Sequence, residues 1–326
     1  MKSKPPWEHI GLLPISTPTV FPVGPANVYL YPGPPMILFD AGTHTESAFQ
    51  ALVAALDQYG FQLGDIEKVV LTHHHLDHIG LARRIKSLSK ARVAAHHSVK
   101  VHLSLLFKDG EIREQIKYLL LELGAPLSKI DYLVEERMKH RQLFDPPEMD
   151  DPLEDGDEVG PFEVHFRPGH SSTDTVYIHK EKRWAITGDH LIYKKTPSPL
   201  LRYHNEDGVR VKSLVQYYGS LLKTRAQSIT GCFAGHGSPF VDHRHAVDAT
   251  VEHIKKRCLR LLGLLPESGI TPFEMTCLLF PRMTDEMLFY CLSTVTGHLE
   301  LLETQHLVHS DAHDHVLHYF PVSSSV

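Results

Sequence analysis

Apolar positions along the chain recur at two alternating periods. The β-branched and aliphatic runs "NVYLY" (27–31) and "MILFD" (36–40) predict two strands joined by the turn "PGPP". In "TESAFQALVAALDQYG" the apolar positions lie three and four apart and end at Gly60, which predicts a helix with a glycine C-cap. "IEKVVLTH" then predicts a buried strand, Leu81 to Lys90 a helix and "ARVAAH" another strand. This alternation predicts an α/β layered core.

From about Val101 to His140 the pattern turns helical, most clearly in "REQIKYLLLELG", and it stops at the proline- and acid-rich "FDPPEMDDP". That is the pattern of a helical insertion over about 101–150. Strands resume in "FEVHFRPGH", "DTVYIHK" and "RWAITGDH", and a helix around "SLVQYYGSLLK" precedes the strand in "SITGCFAGH". From about Ala246 onward "EHIKKRCLRLLGLL", "TPFEMTCLLF" and "DEMLFYCLSTVTGHLELLE" predict helices, with a break near "PESGITP". The expectation is a main domain over 1–245, carrying the insertion, and a small helical domain over 246–326.

Composition narrows the class. The 326 residues are 42% hydrophobic and 22% charged with a formal net charge of -6, the profile of a soluble globular protein. No window approaches eighteen uninterrupted apolar residues and the first residues lack a signal-peptide pattern, so no membrane partner is expected and the cytoplasm is the default location. Cys232, Cys258, Cys277 and Cys291 have no Cys-x-x-Cys spacing and read as reduced core thiols. The anomaly is histidine, present 25 times.

Ligand-type side chains gather where apolar strands give way to loops. "LFDAG" supplies Asp40, "LTHHHLDHIG" supplies His73, His75, Asp77 and His78, "FRPGHS" supplies His170, "AITGDH" supplies Asp189 and "CFAGHG" supplies His236. Five strand ends of this kind imply one shared cleft. Residues two apart on an extended strand end point the same way, so His73 and His75 can address one metal ion while Asp77 and His78, beyond the bend, face a second. His170 can complete the first group, His236 the second, and Asp189 can bridge them. Imidazole and carboxylate suit Zn, with Fe or Mn as alternatives. Two such divalent ions turn a bridging water into hydroxide near neutral pH.

These segments resemble the metallo-β-lactamase-fold hydrolases, whose signature His-x-His-x-Asp-His is matched by His73, His75, Asp77 and His78. The resemblance covers roughly 16–245 and implies a four-layer αβ/βα sandwich with the metal ions at one edge. It implies that Asp40 supports the metal loop without ligating, and that Asp189 bridges where some lactamases have a cysteine. Asp77 is expected to be catalytic, as both a ligand of the second ion and the group that orients the bridging hydroxide. "EHIKKRCLRLL", "GITPFEM" and "VTGHLELLETQHLVHSD" resemble the helical, winged-helix-like tail of the lactamase-beta-2-like branch, some members of which cut RNA. The opening motif equally resembles glyoxalase II, a thioester hydrolase.

The leading expectation is a binuclear hydrolase acting on a small-molecule ester, thioester or lactone. The alternatives are a metal-dependent nuclease and a mononuclear iron sulfur dioxygenase using His73, His75 and His170. Against nucleic acid as partner, residues 266–326 hold one Arg (Arg282) and eight acids, and one minus eight gives -7. That segment reads instead as a packing, lid or dimerisation module, and a homodimer is one expectation. His74 reads as a support behind the ligands or a packing residue, His190 as a support or an exposed side chain, and Tyr193 as a substrate contact or cleft wall. "KKRCLR" reads as a solvated helix face. The insertion reads as either a lid over the cleft or helices packed on the sandwich, with the 194–211 loop as the other specificity surface.

Overall fold

The computed structural model describes residues 11–105, 109–140, 143, 145–202 and 210–322. Parts of "LSLLF" and of the 194–211 loop therefore lie outside the described residues, as do the first ten residues and the serine tail. The first sheet has six strands in chain order: β1 (Leu13–Thr17), β2 (Ala26–Tyr31), β3 (Ile37–Phe39), β4 (Lys68–Val70), β5 (Arg92–His96) and β6 (Asp151–Leu153). β1, β2 and β3 pair antiparallel, and β3 to β6 pair parallel. The second sheet runs β11-β10-β9-β8-β7, from β7 (Glu158–Val159), β8 (Phe162–Phe166), β9 (Thr175–His179), β10 (Trp184–Gly188) and β11 (Gly231–Ala234).

Alternation along the strands sorts the side chains into layers. Val28, Leu30, Leu38, Val69 and Val93 face one way, onto Phe49, Leu52 and Leu56 of α1 (Glu46–Gln58) and Ile85 of α3 (Ala82–Ser89). Their neighbours Tyr29, Ile37, Phe39, Val70 and Ala94 face the other way, onto Val164, Tyr177, Trp184, Ile186 and Phe233 of the second sheet. The outer face of that sheet contributes Cys232 and Ala234 to a core shared with α7 (Ser213–Arg225) and α8 (His243–Leu262). The result is the expected αβ/βα sandwich. α1 is capped as its sequence demands: Thr45 Oγ1 accepts from the Ala48 amide, and Gly60 follows the helix at φ 80°, a conformation open to glycine.

The insertion forms α4 (His97–Leu105), α5 (Asp109–Glu122) and α6 (Leu127–Met138). The buried leucines of "YLLLELG" face other helices. Leu119, Leu120 and Leu123 pack with Ile130 and Leu133 of α6 against Leu288, Phe289 and Leu292 of α10 (Leu288–Thr304). The chain ends in a hairpin, β12 (Val308–His313) and β13 (Val316–Pro321), where helix was expected to dominate. Its two-residue turn places Asp314 and His315 at φ 50° and 66°, the geometry that right-twisted hairpins require. Three cysteines are buried, but Cys277 on α9 (Pro272–Leu279) is exposed, so it is no core thiol. Among the described residues no helix is long and apolar enough to cross a membrane.

Candidate metal centre

The carboxyl ends of β3, β4, β8, β10 and β11 meet at one edge of the sandwich, and each releases one of the predicted segments there. After β4 the chain stays extended through His73 and His75, then turns into the short helix α2 (Leu76–Ile79), which carries Asp77 and His78 back toward the strand end. Two groups of side chains result. His73 Nε2 and His170 Nε2 lie 3.1 and 3.0 Å from His75 Nδ1. His236 Nε2 lies 3.3 Å from Asp77 Oδ2, and His78 Nε2 lies 3.9 Å from the same oxygen. Asp189 sits between the groups, with Oδ2 3.6 Å from His170 Nε2 and 3.5 Å from His236 Nε2, and Oδ1 3.6 Å from His78 Nε2.

The donor set fits divalent ions. Ligands about 2.0–2.1 Å from a tetrahedral ion lie about 3.3 Å from one another, close to the separations within each group. His78 Nε2, His236 Nε2 and Asp189 Oδ1 are buried without a hydrogen-bond partner, which buried polar atoms rarely tolerate. His73, His75 and His170 form one candidate ion-holding set, and Asp77, His78 and His236 another.

The surrounding residues fix which nitrogen of each ring faces inward. Asp40 is buried at φ 61°, and its Oδ1 accepts from the Thr72 amide at 2.8 Å. Its Oδ2 accepts from the Thr72 hydroxyl at 2.9 Å and from His78 Nδ1 at 2.8 Å. With its proton committed to Asp40, the Thr72 hydroxyl accepts from His73 Nδ1 at 2.9 Å. His236 Nδ1 donates to the Pro25 carbonyl at 2.9 Å. In each case the Nδ1 proton is taken and the Nε2 lone pair is left for the cluster.

Electrostatics divides the rings. Burial, compounded by neighbouring imidazoles, holds His73 and His75 well below the usual histidine range, so both are neutral donors. Burial also opposes charge on His78, but Asp189, Asp77 and Asp40 outweigh it and raise that ring to about 9. His236 rises to about 10 against its burial, through Asp189 and Asp77. Asp189 and Asp77 stay below the usual carboxylate range, since His78 and His236 overcome their burial. The carboxylates therefore concentrate a negative potential that draws cations.

Two glycines let the segments close up. Gly188 has φ 48° and packs against Thr72, where a β-carbon would lie 2.6 Å from Oγ1. A β-carbon on Gly235 would meet Asp189 Oδ1 and lie 2.6 Å from His78 Cε1. Gly235→Ala is therefore expected to displace both groups and lower turnover by roughly 10²-fold with the fold retained. Circular dichroism and rate measurements on the variant check this, and native activity would contradict it.

The remaining predicted residues lie around this cluster. His190 is buried, with Nε2 2.8 Å from Thr224 Oγ1 on α7, and burial pushes it down to about 3. Tyr193 is 42% exposed and stacks on Phe240. His74 Nδ1 lies 2.8 Å from Thr173 Oγ1, and its ring stacks at 3.5 Å on His102 from α4. Sequence reading missed His102, Thr72, Asp174 and Arg202. Asp174 accepts from the Ser171 amide at 2.7 Å and hydroxyl at 2.6 Å, and Arg202 donates to the Ser171 carbonyl at 2.9 Å, which shapes the turn carrying His170. The only signal for Asp174 was its place in the "HSSTD" turn, and the others carried none.

A fold and site of this kind define a metallo-hydrolase, and the sequence agrees. The model of the metallo-beta-lactamase superfamily matches residues 21–237, and the chain belongs to that superfamily. It is 30% identical over 305 residues to the probable metallo-hydrolase YqjP of Bacillus subtilis (strain 168), covering 92% of this chain and 94% of that one. A hydroxyacylglutathione hydrolase of Nitrobacter hamburgensis is 35% identical over 74 residues, which are 21% of this chain and 28% of that protein. Among solved structures, a metallo-beta-lactamase family protein from Thermus thermophilus aligns at TM-score 0.81 and 26% identity, over 96% of this chain and 99% of that one.

Proposed function

We propose that this metallo-hydrolase is binuclear and acts on a small-molecule ester, thioester or lactone. The observation that carries the reading is the convergence of seven side chains into two groups joined by Asp189. His73, His75 and His170 would hold one divalent ion, and Asp77, His78 and His236 the second, with Asp189 between them. Zinc suits this thiolate-free set, and iron and manganese suit it too. When bound, such ions polarise a carbonyl oxygen and bring the pKa of water near neutrality.

The chain's own residues do the rest. Asp77 takes the proton of the attacking water at its carboxylate and orients the oxygen that remains. Asp40, Thr72 and the Pro25 carbonyl hold the imidazoles in one tautomer. The stacked pair His74 and His102 packs beside His75 and steadies the strand end that carries it. The local likeness to a hydroxyacylglutathione hydrolase favours acyl thiol esters within this class. The charge of -7 over residues 266–326 disfavours a polyphosphate backbone as substrate.

Elemental analysis of fully metallated protein is expected to approach two ions per chain, with His236→Ala emptying mainly the second site. In a screen of thioesters, lactones, phosphodiesters and RNA, the highest kcat/KM is expected on a thioester or lactone. One ion at saturation, or a preference for RNA, removes this reading.

A further inference from the structure

We propose that a second site, separate from the histidine and aspartate cluster, binds a small phosphorylated molecule in a cationic trough between the 193–199 loop, α8 and α10. A cavity of about 450 Å³ opens there, and Lys194, His253, Arg257 and His298 are among its lining residues. It shares Lys194, Thr196 and His253 with a second cavity of about 230 Å³, which adds Lys195 and His245. Neither lining contains an aspartate or glutamate. In a chain of net charge -6 this is a local reversal of sign, and ligand sites fall in the same range of size.

Two side chains in the trough lack partners among the described residues. "KKRCLR" is a solvated face for Lys255, Lys256 and Arg260, but Arg257 turns inward and is half-buried. Among the described residues it makes no ion pair, which a partly desolvated guanidinium ordinarily finds. His298 is 3% exposed, and its Nδ1 lies 2.6 Å from the Thr294 carbonyl. A carbonyl only accepts, so Nδ1 carries the proton and Nε2 presents a lone pair with no partner among the described residues. The loop side is held in a disfavoured conformation, with Lys194 at φ 57° and its ammonium 5.2 Å over the Tyr193 ring.

These features select the ligand's chemistry. Lys194 comes from the loop and Arg257 from α8, and the Ser198 hydroxyl lines the same space, whereas the Ser293 hydroxyl already donates to the Phe289 carbonyl. Donors from several directions match a tetrahedral dianion better than a planar carboxylate, which offers two oxygens and one charge. The volume exceeds a bare anion, and Tyr290 and Phe280 add an aromatic wall. The unpartnered His298 Nε2 calls for a hydroxyl or N–H on the ligand. The occupant is thus an organic phosphate with a hydroxyl or N–H group.

Calorimetric titration of the metallated protein with inorganic phosphate, pyrophosphate and succinate tests this. Pyrophosphate is expected to bind wild type and His73→Ala alike, about tenfold more tightly than succinate, and to weaken about tenfold in Arg257→Gln. Lys194→Asn, at an exposed position that tolerates asparagine, is expected to weaken it as well, and it decides the matter if Arg257→Gln does not fold. Hydrolytic activity is expected to be unchanged in Arg257→Gln. Binding that survives both substitutions, or that vanishes in His73→Ala, assigns the anion elsewhere and overturns the proposal. Tighter binding of an oligoribonucleotide, lost with Arg257, overturns the small-molecule assignment.

Discussion

Asp40→Asn is expected to lower affinity for the second divalent ion by about 10–100-fold while leaving the fold largely intact. The carboxylate accepts three hydrogen bonds in a buried position, from the Thr72 amide, the Thr72 hydroxyl and His78 Nδ1. An amide of the same shape keeps one acceptor but turns its N–H₂ toward His78 and Thr72. His78 Nδ1 must then accept, its proton moves to Nε2, and the lone pair facing Asp77 and Asp189 is lost. Asp40→Ala is expected to do more harm to stability, at about 3–5 kcal/mol, because it strands buried donors. Elemental analysis and thermal melting of the two variants separate the effects. Full metal content in Asp40→Asn would refute the tautomer argument.

Asp77→Asn is expected to lower kcat by about 10²–10⁴-fold with a smaller change in KM, when compared at equal metal occupancy. Asp77 Oδ2 lies 3.3 Å from His236 Nε2 and is 7% exposed in side-chain surroundings that keep it ionised. An amide there neither accepts the proton of water nor holds an ion as tightly, so metal content must be matched before rates are compared. Near-native turnover at full occupancy would remove Asp77 from the proton transfer.

The cluster was legible because its chemistry sits at strand ends, where local sequence carries both the apolar run and the side chains that follow it. His73, His75, Asp77, His78, His170, Asp189 and His236 all come together, and Asp40 lies under them. What escaped depends on tertiary packing. His102 reaches His74 from a helix with no motif, and Arg202 acts on a backbone carbonyl thirty-one residues away in the chain. β1 and β6 were missed for another reason: Pro14 and Pro152 break the strand pattern, and both are tolerated because these are the two edges of the sheet. The final hairpin was hidden by histidines on both faces, which blur the alternation that marks a strand.

The core beneath the second sheet extends from Leu191, Tyr217, Cys232 and Ala234 through α8 to Val295 and Leu299 of α10 as one apolar cluster. The last quarter of the polypeptide, from α8 onward, thus serves the sandwich as its outer wall. The 21–237 segment common to the superfamily would, in this chain, be released with a bare apolar flank, prone to self-association. Trimming to that minimal unit would cost solubility before any question of catalysis arose, and shuffling the terminal module between relatives would require recutting the matching face of the sheet and of α7.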